Sequence, residues 1–164
     1  MLLVACEGLM LALLILGAVL DIRSFRLPNW LTLSTAVVAV IHTLLVAAGW
    51  QEVVGPIAFG LGVLIAGFAL HHFGLLGGGD VKWLAALAIW IGPGFAALRF
   101  LFIMGLAGGL LALVILIVGR IRPGYGRVEG RAHLPYGVAI SLAGMDFLLR
   151  DGSLGQQMMK LWGA

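Results

Sequence analysis

Two aspartates stand at the borders of long apolar runs in this chain: Asp21 in "LDIRSFRLPNWLTL" and Asp80 in "GLLGGGDVKWLAAL". Ionisable groups are costly in such surroundings and mark function by default. Two carboxylates held close together cannot both ionise easily, so they share a proton. One then accepts a proton from water as it attacks a carbonyl carbon, while the other donates to the carbonyl oxygen; such a pair hydrolyses a peptide bond with no metal or cofactor. Gly77, Gly78 and Gly79 leave room for an extended backbone to approach Asp80. Pro28 and Asn29 read first as a turn with Asn29 capping the next helix, and second as substrate-positioning residues.

The elements that must hold this pair are apolar helices. Of 164 residues, 62% are hydrophobic and only 10% charged, and the mean hydropathy is +1.14, which excludes an ordinary soluble domain. Runs near the roughly 20 residues needed to cross a hydrocarbon core of about 30 Å lie at Leu2 to Leu20, Leu31 to Gly49, Val54 to Phe73, Val81 to Leu98, Phe100 to Gly119 and His133 to Leu149. The fold expected is therefore all-α, a polytopic bundle of about six transmembrane helices forming one domain over residues 1–164. The first run has no basic segment before it and ends in Asp21, Arg23 and Arg26, so it reads as a retained helix and not as a cleaved signal. Cys6 is the only cysteine, which excludes an intrachain disulfide.

Charge sets the orientation. With the N-terminus outside, Arg23, Arg26, Lys82, Arg120, Arg122, Arg127 and Arg131 fall on the cytoplasmic side, against Arg99, Arg150 and Lys160 on the other. This is the positive-inside pattern, and it accounts for the net charge of +3 without nucleic acid as a partner. Asp21 and Asp80 then share one membrane face. Glu7, about 21 Å before Asp21 along a helix, belongs at the opposite face, as does Asp146. The arginine-rich loop "RIRPGYGRVEGR" is expected to be mobile and to lie at the lipid headgroups. Gly105 and Gly109, four apart, suit close helix packing.

The two aspartate segments, in this order and about sixty residues apart, resemble the motifs of the type IV prepilin leader peptidases, membrane aspartic endopeptidases of the GxGD class. Gly77, Gly79 and Asp80 fill the GxGD pattern, "DIRSFRLPN" fills the first motif, and "LPYGVAISLAG" follows in the last helix. The resemblance implies a cytoplasmic-membrane enzyme that removes the leaders of type IV prepilins or related pseudopilins on the cytoplasmic side, with Asp21 and Asp80 as the catalytic pair. It is closest to the short form of the family, which lacks the N-terminal cysteine-containing segment and is similar to enzymes serving tight-adherence (Flp) pili. Methyl transfer to the new amino terminus is not expected of that form.

Other residues carry plainer readings. Lys82, two residues past Asp80, faces elsewhere on a helix and suits headgroup contact. His71 and His72 are adjacent and point to different sides, which argues against a metal site with Asp80. His42 and His133 read as packed and interfacial residues, and Ser141 has no histidine base at its depth. The residues Leu134 to Gly137 read as a proline-shaped helix start. By dipole alone, Asp21 at a helix C-terminus holds the shared proton and Asp80 at a helix N-terminus is the base. The competing function is a small transporter or proton-coupled membrane subunit, with Asp21 and Asp80 as ion-binding groups.

Overall fold

The computed structural model describes residues 1–121, 127–128, 131–132, 134–153 and 155. Six helices follow in order: α1 (Leu2–Ser24), α2 (Asn29–Val46), α3 (Trp50–His72), α4 (Gly78–Ile91), α5 (Phe95–Ile121) and α6 (Tyr136–Asp151). The only strands among the described residues are a two-residue antiparallel pair, β1 (Arg127–Val128) with β2 (Arg131–Ala132). Apart from turns and connections, the other described residues are helical. Much of the arginine-rich loop, with His133 and Lys160, lies outside the described residues.

Four helices, α1, α2, α3 and α5, are long and apolar enough to cross a membrane. With 14 and 16 residues, α4 and α6 are shorter than a perpendicular span of about 20. The fourth apolar run does not continue to Leu98 as the sequence suggests. It breaks at "GPG", where Gly92 and Gly94 take φ of 70° and 142°, backbone conformations that end α4 and that side chains disfavour.

The short α4 is the hub of the bundle, packed against α2, α3, α5 and α6. Val81, Trp83, Leu84, Ala85, Ala86, Leu87, Ala88 and Trp90 are all buried, so its surroundings are protein rather than solvent. The longer helices instead turn apolar side chains outward, among them Ile65 and Phe102 at 73% and 66% exposure, as a lipid-facing surface requires. Trp83 sits at the centre with no exposed surface. Its Nε1–H donates to Thr35 Oγ1 at 2.9 Å, and the Thr35 hydroxyl donates to the Leu31 carbonyl at 2.9 Å. The indole lies over Gly17 of α1, where any β-carbon overlaps the ring. Close approach of α5 and α6 occurs at Gly108, against Tyr136 and Ala139; Gly105 and Gly109 have nothing beside them.

At the end of the bundle away from Asp21, Glu7 is buried, and its Oε1 accepts the Ser153 N–H at 2.9 Å. His42 stacks on Trp90 with ring centroids 3.9 Å apart, its Nε2 3.9 Å from Glu7 Oε1. Arg99 pairs there with Asp146 and Asp151. These contacts tie α6 to α1 and α5 at one end and leave the other end for the aspartates.

Candidate active site

Asp21 lies in the last turn of α1 and is 3% exposed. The helix closes just after it: Phe25 adopts a left-handed conformation, φ 51° and ψ 30°, and returns its N–H to the Asp21 carbonyl at 2.8 Å. The chain then runs extended through Pro28, which caps α2. Asp21 would meet only the negative end of its own helix dipole there, but α6 supplies the opposite charge. The Gly137 N–H donates to Asp21 Oδ2 at 2.6 Å, and the Val138 N–H also bonds to the carboxylate. These are the second and third residues of α6; the Gly137 N–H has no partner within the helix and the Val138 N–H is shared with the Pro135 carbonyl at 3.2 Å, so the carboxylate occupies a helix N-terminus in the manner of a bound anion. Glycine is required at 137, because a β-carbon there would stand 2.8 to 3.0 Å from Asp21 Oδ2, Cγ and Cβ.

Asp80 is the third residue of α4 and is half-buried. It is not the capping residue; Gly77 is. The Gly77 N–H donates back to the Asp80 carboxylate, the return bond of a capping box. Asp80 precedes the apolar run that begins at Val81. Burial first, and the negative charge of Asp21 second, push its carboxyl up to about 7.

Both aspartates line one cavity of about 680 Å³. Phe25, Arg26 and Leu27 close it on the α1 side, His71 and the run from Gly74 to Gly79 on the α3–α4 side, and Leu134 and Tyr136 at the start of α6. The α3–α4 connection is held by His71, whose Nδ1–H donates to the Leu76 carbonyl at 2.7 Å. Gly79 sits against Leu27, with the Leu27 carbonyl oxygen 3.2 Å from where a β-carbon would stand, so the two aspartate-bearing segments meet backbone to backbone. Gly77, Gly78 and Gly79 thus form a wall of the aspartate cavity. Pro28 and Asn29 do not line it. Asn29 opens α2 without capping it, and its Oδ1 accepts from Lys82 Nζ at 3.0 Å. Ser141 donates to the Leu14 carbonyl at 2.8 Å, a helix-packing bond.

The residues that sequence reasoning missed are Gly137 and Val138. The signal was present, since Pro135, with Gly137 two residues on, opens a helix whose first N–H groups attract an anion. The dipole ordering of the aspartates rested on α1 and α4 alone; α6 removes its premise by giving Asp21 a helix N-terminus as well.

Residues 8–117 match the model of the type IV leader peptidase family, a segment that contains both aspartates and ends before α6. The chain belongs to this family and is a membrane-associated peptidase. No curated protein and no solved structure matches it.

Proposed function

We propose that the protein is an aspartic endopeptidase that removes the leader peptides of type IV prepilins or related pseudopilins, including those of the tight-adherence type, at the cytoplasmic face of the cytoplasmic membrane. The observation that carries this reading is the meeting of Asp21 and Asp80 on one cavity, with three glycines on its wall. Asp21, whose Oδ2 accepts the Gly137 N–H, is the carboxylate that takes a proton from water; Asp80, pushed up to about 7, is the acid. The water oxygen bonds to the scissile carbonyl carbon as Asp80 protonates the carbonyl oxygen. The C–N bond of the resulting diol then breaks as the proton held by Asp21 passes to the leaving nitrogen and one diol hydroxyl returns its proton to Asp80. All six helices cross or enter the bilayer in this reading, with α4 and α6 shielded by the longer four, and the N-terminus lies outside.

The direct test mixes the purified enzyme with candidate prepilins from the same genome and locates the cut by mass spectrometry, with and without EDTA. One cut at the leader junction, unchanged by the chelator, is the expected result. Cleavage that stops with EDTA and returns with one metal would replace the two-carboxylate mechanism. Absence of cleavage, with pH-dependent ion flux in vesicles, would favour the transporter reading instead.

Orientation has its own test. In a Cys6→Ala background, a cysteine at Gln51, exposed in the α2–α3 turn region, is expected to react with an impermeant thiol reagent in intact cells, and one at Leu75, exposed beside the aspartates, only after lysis. The reverse labelling pattern would put the cavity on the wrong side for cytoplasmic cleavage.

A further inference from the structure

A second cavity, of about 400 Å³, lies between α2 and α3 with α4 as its floor. It is turned away from the aspartates: Lys82 and Ile89, which line it, stand roughly 180–200° around α4 from Asp80. Leu33 and Ala36 of α2, Leu61 and Leu64 of α3, and Ala85 and Ile89 of α4 give it apolar walls. Its polar groups gather at one end, at Asn29, Thr32 and Lys82. The Thr32 hydroxyl is used locally, donating to the Asn29 carbonyl at 2.9 Å. The Lys82 ammonium donates to Asn29 Oδ1 at 3.0 Å and, among the described residues, is in no ion pair. An ammonium has three donors, so two remain, and the Asn29 NH₂ stands beside them.

The dimensions fit a lipid. From Lys82 to Ile89 the floor runs about 10 Å along the helix, most of one leaflet of a hydrocarbon core about 30 Å thick. The cationic end is level with Asp80, at the membrane edge, and the apolar part runs inward from it. An anionic headgroup at Lys82 and an acyl chain on the floor match this distribution of charge and apolar surface. A zwitterionic lipid matches only the apolar part, and a free phosphate only the mouth.

We propose that this groove is a binding site for one anionic phospholipid, its phosphate against Lys82 and Asn29 and one acyl chain along Ala85 and Ile89 between α2 and α3. The lipid bridges the first turns of α2 and α4, close to where the α1–α2 connection at Leu27 meets Gly79 of α4 beside the aspartates.

The test is native mass spectrometry of the detergent-purified full chain titrated with phosphatidylglycerol or with phosphatidylcholine of the same chains. One phosphatidylglycerol is expected to be retained, with about a fivefold preference over phosphatidylcholine, the weight of a single lysine at an anionic surface. Lys82→Gln brings the two lipids to near parity. Ala36→Phe, which fills the groove from its half-buried rim, reduces retention of both; Leu61→Trp, at an exposed wall position, serves if that variant fails to fold. Equal retention of both lipids by the unaltered protein overturns the site, as does a preference that survives Lys82→Gln. A photo-reactive residue at Leu61 is expected to capture lipid in membranes, and capture of a substrate polypeptide there would reassign the groove.

Discussion

Asp21→Asn and Asp80→Asn are each expected to lower the turnover number for leader cleavage at least about a thousandfold, within the range general acid–base groups contribute, while folded protein and membrane insertion are retained. Neither asparagine supports the proton cycle: it cannot accept the proton of the attacking water, and it cannot donate one as a carboxylic acid does. Packing survives because the amide is close to isosteric with the carboxyl, and at position 21 its oxygen still accepts the Gly137 N–H that bonds to Asp21 Oδ2. In the unaltered enzyme, a carboxyl at Asp80 raised to about 7 must stay protonated to act as the acid. The rate is therefore expected to be sustained below that pH and to fall as pH rises through it. Asp80→Asn, which mimics the protonated carboxyl, is the variant expected to keep substrate affinity. Normal turnover by either variant ends the catalytic assignment, and affinity retained only by Asp21→Asn reverses the division of acid and base.

Gly137→Ala is expected to cost about a hundredfold in turnover, the usual price of displacing a catalytic group by about 1 Å. The added methyl would lie 2.8 Å from Asp21 Oδ2 and 2.9 Å from Cγ, so the carboxylate must move and its bond to the Gly137 N–H must lengthen. The effect on stability is that of mild overpacking, about 1–3 kcal/mol. The discriminating measurement is the double variant. In an Asp21→Asn background, Gly137→Ala should add almost no further loss of turnover, because both changes act through one carboxylate. Full additivity would show that Gly137 acts on something other than Asp21.

Much of this arrangement was legible in the chain. Asp21 and Asp80 stand out because few charges interrupt the apolar runs, and charge asymmetry alone assigned them to one face. The helical class followed from the lengths of the runs. What escaped was tertiary. "GPG" at residues 92–94 sits inside a hydrophobic stretch, so hydropathy carried the fourth span past it, whereas two left-handed glycines end the helix there. Gly105 and Gly109 have the spacing of a packing motif, but which face of α5 meets α6 depends on helix rotation, and that rotation brings Gly108 to Tyr136. Asn29 has the type and position of a cap, yet its side chain turns to Lys82, 53 residues away, a pairing no local pattern encodes. The anchoring of Asp21 by Gly137 spans 116 residues and uses only backbone N–H groups, which every residue but proline carries.

That last contact also bears on biosynthesis. Helices enter the membrane in chain order, and the N–H groups that hold Asp21 belong to α6, the sixth of the helices to be made. A ribosome-bound intermediate with five helices inserted already contains both carboxylates and the glycine wall, but Asp21 then has only the negative end of α1 beside it. In that intermediate the pair has not acquired the polarity that separates a base from an acid. Under the division of base and acid proposed above, hydrolytic competence waits until α6 has docked.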